Sequence, residues 1–233
     1  MSNFVTLNSI YGTLIVNKLD TYQYRPLIRT GIPHINNEIL KILDIVSILP
    51  TNPIIVDGGA NIGLITIPIS IHTNGYVYSF EPQQLLYHCL CGSLALNQIG
   101  NVKAYNLALG ASATKLSLPD IDYTRRRDFG DVVLEDTGKD DVEVTTIDDL
   151  QLTRLNFLKL DVEKMEMQAL LGGIKTIEKF RPWCWVEYIR SDLNGLVQFF
   201  KSKQYRVYKV KDDLANIVAC PNDHTFRWMG DEL

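Results

Sequence analysis

The segment Ile54–Gly63 constrains the fold more than any other part of the chain. Three apolar residues, Ile54 to Val56, predict a buried strand, and Asp57-Gly58-Gly59 directly after them predict a tight turn. Glycines in such a turn let a ligand approach the backbone where a Cβ would clash. Because open α/β sheets bind ligands outside the carboxyl ends of their strands, this turn is the first candidate binding site.

After this turn, strand-like and helix-like segments alternate along the chain. We expect seven strands: Ile54–Val56, Tyr76–Phe80, Val102–Leu107, Phe157–Leu160, Trp183–Glu187, Tyr205–Val210 and Ile217–Cys220. We expect helices over Ile62–Ile71, kinked at Pro68, from Pro82 onward, over Met165–Lys179 and over Leu193–Ser202. The alternation predicts an α/β fold, a mostly parallel seven-stranded sheet with helices on both faces.

Residues 1–50 are predicted to form a hairpin and a helix that pack on a domain formed by residues 51–233. The hairpin pairs Phe4–Asn8 with Thr13–Asn17, and the helix runs from Asn36 or Asn37 to Leu49. We expect the two parts to make a single structural unit.

Composition and charge exclude several classes of protein. With 46% hydrophobic and 21% charged residues, the chain is not disordered, and no apolar run is long enough to cross a bilayer. The first ten residues lack a basic stretch followed by an apolar one, so we expect a cytoplasmic protein. A net charge of −4 argues weakly against a nucleic-acid partner.

A second acidic residue strengthens the candidate site. Glu81 follows the strand Tyr76–Phe80, 24 residues after Asp57, and an acid at that position can accept hydrogen bonds from both hydroxyls of a ribose. The glycine spacing does not fit the G-x-G-x-x-G fingerprint of dinucleotide sites. Asp57 and Glu81 together therefore indicate a site for an adenosine-containing ligand with a cationic part.

An ordered set of motifs is similar to the FkbM family of S-adenosylmethionine-dependent methyltransferases. The motifs are Asp57-Gly58-Gly59-Ala60-Asn61-Ile62-Gly63, Phe80-Glu81-Pro82, Leu96-Asn97 with Gly100-Asn101-Val102, Ala108-Leu109-Gly110, Thr146-Ile147-Asp148-Asp149-Leu150 and Leu158-Lys159-Leu160-Asp161-Val162-Glu163. The resemblance covers roughly residues 31–220. It implies the Rossmann-like class I methyltransferase fold, S-adenosylmethionine as methyl donor, and a hydroxyl acceptor on a sugar, glycan or other small metabolite.

The resemblance also implies roles for individual residues. The cofactor-binding set is Asp57, Gly58, Gly59, Asn61 and Gly63 around the methionine part, Glu81 and Pro82 at the ribose, Asn106, Leu107 and Ala108 by the adenine, and Asp161 beside the reacting methyl group. The family usually has glycine where this chain has Lys164, which bears on the geometry of the acceptor site.

Three carboxylates at or near the ends of two strands are the candidate catalytic residues: Asp161, Glu163 and Glu187. A hydroxyl acceptor must lose its proton, and two interpretations follow. Either Mg²⁺ held by Asp161 and Glu187 acidifies the hydroxyl, or one carboxylate accepts the proton directly. His34 and His224 are near loops and belong to no motif.

The segment from Ala111 to Thr145 is longer than a simple connection, and we expect a small hairpin of Thr114–Leu118 with Val142–Thr146. Its loop carries three arginines, Arg125 to Arg127, which either bind an anionic acceptor or form ion pairs in a solvated loop.

Two alternative functions stay open. The chain could methylate an amine or an RNA 2′-hydroxyl, or it could be a catalytically idle binding module.

Overall fold

The computed structural model describes residues 2–221 and 224–233. In chain order the strands are β1 (Phe4–Ser9), β2 (Gly12–Asn17), β3 (Ile54–Gly58), β4 (Tyr76–Phe80), β5 (Val102–Tyr105), β6 (Ala108–Leu109), β7 (Thr114–Leu118), β8 (Asp140–Thr145), β9 (Phe157–Leu160), β10 (Trp183–Glu187), β11 (Arg206–Val210), β12 (Asn216–Cys220) and β13 (Met229–Glu232). The α-helices are α1 (Tyr24–Thr30), α2 (Asn36–Ser47), α3 (Thr66–His72), α4 (Gln84–Leu96), α5 (Glu166–Gly172), α6 (Ile174–Phe180) and α7 (Leu193–Ser202).

The central sheet has eight strands within the described residues, in the order β13-β11-β12-β10-β9-β3-β4-β5. The strands β10, β9, β3, β4 and β5 pair in parallel, whereas β12 and β13 run antiparallel to their neighbours. The expected α/β fold with a mostly parallel sheet is therefore confirmed, with one strand more than the seven predicted. The extra strand, β13, pairs at the edge with β11.

Apolar side chains cover both faces of this sheet, as the near-continuous hydrophobic strands require. One buried cluster joins Val56, Leu158 and Leu160 to the helices on one face, and another joins Ile55, Phe157 and Trp185 to α2 and α3. Parallel strands buried in this way end at one edge of the sheet. The ends of β3, β4, β9 and β10 consequently lie side by side.

The first crossover helix is shorter than the sequence suggested. We expected a helix over Ile62–Ile71 with a kink at Pro68, but α3 begins at Thr66, so Pro68 lies in its first turn. A proline is tolerated there because its missing N–H would have no partner in the helix. The residues between Gly59 and Thr66 form the turn that faces the ligand site.

Several other predicted elements differ in their bounds. The helix predicted to reach Leu49 ends at Ser47, and the strand predicted over Val142–Thr146 runs over Asp140–Thr145. The helix expected from Pro82 begins at Gln84. The helix expected over Met165–Lys179 is two helices, which meet at Gly173. The strand expected over Val102–Leu107 ends at Tyr105.

The N-terminal hairpin forms where the sequence predicts it and packs against α4. The Asn97 side chain accepts a hydrogen bond from the Thr13 backbone N–H at 2.8 Å, and the Ser93 hydroxyl oxygen accepts one from the Ile15 N–H at 3.0 Å. Leu14 of β2 shares a buried cluster with Leu90 of α4. The hairpin is thereby attached next to the turn that follows β3.

Candidate active site

A cavity of about 350 Å³ lies at the carboxyl edge of the central sheet. Its walls come from the turn after β3, the ends of β4, β9 and β10, and two segments outside the sheet. Of the predicted site residues, those that line it are Gly59, Asn61, Glu81, Pro82, Leu107, Ala108, Asp161, Glu163 and Glu187. Asp57, Gly58, Gly63 and Asn106 are not in the lining.

The glycine turn brings two strand ends into close contact. Gly59 has φ of 76°, and a Cβ on it would lie 1.7 Å from the carbonyl oxygen of Asp161. Gly63 also has a positive φ, 98°, and Asn61, which lies between the two glycines in the sequence, has a φ of 51°. Only a residue without a side chain fits at Gly59, because both the backbone conformation and the space require it.

Glu81 is tied to the glycine turn by its own carboxylate. Its Oε2 accepts a hydrogen bond from the Asn61 N–H and its Oε1 accepts one from the Gln83 N–H, both at 2.8 Å. Burial raises the pKa of Glu81 to about 7. Each carboxylate oxygen can accept a further hydrogen bond, so the side chain keeps capacity for hydroxyl donors of a ligand in the cavity.

Asp57 lies beneath the cavity and pairs with a lysine there. It is fully buried, accepts a hydrogen bond from the Thr66 hydroxyl at 2.6 Å, and has the Lys159 ammonium 3.4 Å away. Lys159 Nζ also donates to the carbonyl oxygens of Gly58 and Gly59, and it lies 3.5 Å from Asp161. Asp57 therefore stabilises the turn indirectly, because it holds Lys159 and Thr66 in position.

Sequence reasoning did not single out Lys159, although one signal was available. It is a charged residue in the otherwise apolar strand Phe157–Leu160, and such a residue is almost never buried without a partner. Burial alone would lower its pKa, but the charges of Asp161 and Asp57 hold the pKa above the ordinary value for lysine. The side chain is thus a fixed cation at the centre of the site.

Acidic side chains gather at the end of the cavity formed by β9 and β10. Burial and the charge of Asp161 raise the pKa of Glu163 to about 7, and the same causes raise that of Glu187 to about 9. Glu38 of α2, which the sequence did not indicate, joins them with a pKa raised to about 8 by burial. This end of the site suits a ligand that carries positive charge.

The acidic group does not fit the Mg²⁺ site considered from the sequence. Its candidate ligands were Asp161 and Glu187, but the Lys159 ammonium already lies beside Asp161. Among residues 2–221 and 224–233, no group of three or more His, Cys, Asp or Glu side chains is arranged to hold a metal ion. We therefore derive no step through a metal.

Two segments outside the sheet roof the cavity. The backbone of Thr21 donates to the Arg127 carbonyl oxygen at 3.0 Å, and the Gln83 side chain donates to the Phe129 carbonyl oxygen at 2.8 Å. The first bond holds the N-terminal segment against the loop between β7 and β8, and the second holds that loop against the start of α4. The residues that the two segments contribute to the lining are Tyr22, Gln23, His34, Ile35, Glu38, Asp128, Gly130, Asp131, Val132 and Leu134.

Arg190, after β10, closes one side of this roof. It makes an ion pair with Asp131 of the loop and another with Glu163 at 3.4 Å. The arginines Arg125 to Arg127 line an adjoining, open groove with four aspartates, of which Asp128 and Asp131 also line the cavity. Arg125 pairs with Asp122 there at 3.1 Å, so the ion-pair interpretation of this loop agrees with the structure better than a role in the cavity.

The remaining predicted residues support the site from outside. The Asn106 amide donates to the carbonyl oxygens of Glu81 and Pro82, each at 2.9 Å, and so fixes the segment after β4. Lys164, in the place of the family's usual glycine, has φ of 76° and Glu163 has 50°. The chain therefore adopts at Lys164 a conformation that favours glycine.

No helix among the described residues has the length and apolar character that a membrane span needs.

Comparison with solved structures identifies the fold. A FkbM methyltransferase from Methylobacillus flagellatus KT superposes with a TM-score of 0.56 and 18% identity, over 74% of this chain and 45% of that one. M. jannaschii TYW2, solved in complex with AdoMet, gives 0.50 and 15%, over 94% and 85%. The central sheet and its helices thus form the class I methyltransferase fold.

Sequence comparison identifies the family. Methyltransferase sdnD of Sordaria araneosa is 31% identical to this chain over 159 residues, and the match covers 53% of this chain and 61% of the relative. Methyltransferase 1 of Beauveria bassiana (strain ARSEF 2860) is 26% identical over 147 residues, and the match covers 53% of this chain and 59% of the relative. The chain spans about three fifths of the length of these relatives. Residues 57–207, more than half of the chain, match the model of the methyltransferase FkbM domain. The resemblance read from the motifs is confirmed, and the chain belongs to the FkbM methyltransferase family.

Proposed function

We propose that this chain transfers a methyl group from S-adenosylmethionine to a hydroxyl of a sugar, glycan or other small metabolite. Family membership and the class I fold support the choice of methyl donor. The observation that carries the proposal is the division of the cavity into two ends of different chemistry. Glu81, after β4, lies at one end, and Glu163, Glu187 and Glu38 lie at the other, with the glycine turn and Asp161 between them.

The first end fits the adenosine part of the cofactor. Glu81 would accept the ribose hydroxyls, and Leu107 and Ala108 line the wall where an adenine would lie. The glycine turn gives the methionine part access to the backbone between Gly59 and Asn61. Lys159 keeps that turn in place through the two carbonyl oxygens it binds.

The second end fits the chemistry of the transfer. When bound, the cofactor supplies an electrophilic methyl group on a cationic sulfur. Asp161, beside the turn, would balance that charge. The same positive charge would lower the raised pKa values of Glu163 and Glu187, so that one of these carboxylates is ionised and takes the proton that the acceptor hydroxyl releases. The roof would limit the access of bulk water to this end and would help to hold donor and acceptor in position for an in-line displacement.

The proposal is tested with purified protein and S-adenosylmethionine that carries a deuterated methyl group. Collections of sugars, glycans and small hydroxyl metabolites are incubated with it and searched by mass spectrometry for the labelled methyl. We expect a labelled product, and we expect it to form equally well when a chelator is present. Transfer only to amines or to RNA would contradict the proposal and favour the alternatives.

A further inference from the structure

His34 is a cavity-lining residue whose polar atoms have no partner. Within the described residues, neither ring nitrogen makes a hydrogen bond, and both nitrogens are shielded from solvent. The ring packs on Tyr22, with the two ring centroids 3.6 Å apart. A buried polar group without a partner costs free energy, and such a group beside an open cavity gains from a ligand that satisfies it.

The segment that carries His34 lies outside residues 57–207, which match the family. Tyr22, Gln23, His34, Ile35 and Glu38 all come from it and line the cavity. They approach the acidic end. Burial, the larger cause, raises the pKa of the Tyr22 hydroxyl, and so do the negative charges of Asp128, Glu38, Glu187 and Asp161. The segment therefore lies over the end of the site where the acceptor must enter.

The charges at this end restrict the chemistry of that acceptor. Among the described residues, the lining contains seven acids and two bases, and both bases, Lys159 and Arg190, are already in ion pairs. An anionic acceptor would find no unpaired cation in this lining, and its charge would raise the pKa values of Glu38, Glu163 and Glu187 further, so its binding is unfavourable. An amine would be held in its protonated form by the acids, and an ammonium cannot attack a methyl group.

A neutral imidazole carries one N–H donor and one nitrogen acceptor. Burial lowers the pKa of His34 to about 4, so the ring is neutral at pH 7. A hydroxyl both donates and accepts, whereas a carboxylate only accepts and an ammonium only donates. The unpartnered ring is therefore matched by hydroxyl groups and by neither charged group.

We infer that the segment from Tyr22 to Glu38 forms the acceptor subsite, and that His34 selects an uncharged, hydroxyl-bearing acceptor by binding its hydroxyl groups. This inference rests on the proposed function and adds that the acceptor is uncharged, which segment binds it and which residue selects it. His34 binds and orients the acceptor, while the carboxylates keep the role of accepting the proton.

The direct test is an NMR titration of the protein saturated with S-adenosylhomocysteine, with ¹⁵N in the histidine rings. Glycerol, acetate and methylammonium are added separately at equal concentration, and the His34 signals are assigned by their loss in His34→Phe. We expect glycerol to shift the His34 ring nitrogens and the two ions to leave them unchanged. No shift with glycerol, or a larger shift with acetate or methylammonium, would overturn the inference.

A kinetic test uses the same variant with any neutral acceptor found by the labelled-methyl assay. His34→Phe keeps a ring to pack on Tyr22 but cannot form hydrogen bonds, so KM for the acceptor should rise about tenfold with kcat nearly unchanged. The matched control is His88→Phe on α4, which should change neither. Unchanged KM in His34→Phe would refute the role of His34. Failure of the wild-type protein to bind S-adenosylhomocysteine would instead refute the proposed function.

Discussion

At the scale of single residues, Lys159 explains why a carboxylate can be fully buried under the site. Its ammonium lies between Asp57 and Asp161 and also binds two carbonyl oxygens of the glycine turn. Removing one partner of such a group leaves the other as an unpaired buried charge, which costs more than the pair itself contributes. The lysine thus links the stability of the domain to the shape of the site.

We expect Lys159→Met to lower the free energy of unfolding by about 3 kcal/mol or more, because Asp57 is left buried without its cation. Chemical denaturation measures the change. The matched control is Lys175→Met, an exposed lysine on α6, which should differ from the wild type by at most about 0.5 kcal/mol. Equal stability of the two variants would show that Lys159 is not needed to compensate Asp57.

Asp161→Asn keeps the size of the side chain but removes the charge beside the glycine turn. We expect turnover with an identified acceptor to fall roughly 100-fold, the scale on which losing a contact that positions the reacting group lowers a rate. The exposed residue Asp136, changed to Asn, serves as the control and should keep normal turnover. Near-normal turnover in Asp161→Asn would exclude this residue from the reaction.

Residues at strand ends were predictable from the sequence, and residues of the roof were not. Glu81, Asp161 and Glu187 follow or end apolar runs, and parallel strands necessarily bring such positions to one edge. His34 and Glu38 reach the cavity through tertiary packing of a segment far away in the chain. No local pattern of residues records that packing.

At the scale of elements, the turn between β3 and α3 is the most constrained part of the site. Its Gly59 combines a positive φ with contact against the Asp161 backbone. The turn could be predicted because glycine marks such conformations. The late start of α3 could not, because an isoleucine-rich stretch gives no clear signal for where its helix begins.

Gly59→Ala should destabilise the domain and weaken cofactor binding. The added Cβ would need a strained conformation that costs about 1–3 kcal/mol, and it would displace the end of β9 as well. Gly100→Ala is the matched control, since nothing lies within 4 Å of a Cβ at Gly100. Thermal unfolding and titration with S-adenosylhomocysteine measure both effects, and equal behaviour of the two variants would refute this description of the turn.

At the scale of the whole molecule, the buried acids make stability depend on pH. The pKa values of Glu38, Glu163 and Glu187 are raised to about 8, 7 and 9, so the folded chain holds more protons than the unfolded chain between about pH 5 and pH 9. Their contribution to stability is therefore lost as the pH rises through this window. The lowered pKa of His34 acts in the opposite direction, below about pH 6.5.

We therefore expect the denaturant midpoint to be higher at pH 6 than at pH 9. Glu187→Gln should reduce the difference, because an amide at this position has no proton to lose. Denaturation curves at the two pH values, with wild type and variant in parallel, give the result. A midpoint that rises toward pH 9 would contradict the raised pKa values.

The overall architecture followed from the alternation of strands and helices, which fixes the sheet and the edge at which the cavity lies. The two segments that cover that edge could not be predicted from the sequence. Their position depends on contacts between residues about 100 positions apart, such as the contact of Thr21 with Arg127. Sequence reasoning therefore predicted the cavity lining that comes from the strand ends in more detail than the lining that comes from the roof.

The central claim is that the glycine turn and Glu81 bind S-adenosylmethionine, and calorimetric titration with S-adenosylhomocysteine tests it most directly. We predict binding to one site in the wild-type protein and at least tenfold weaker binding in Glu81→Ala, since each charge-assisted hydrogen bond contributes about 1.5–3 kcal/mol at most. Glu232→Ala, at an exposed ion pair, should bind as the wild type does. Absence of binding to either S-adenosyl ligand, together with clear binding of NAD, would contradict the account.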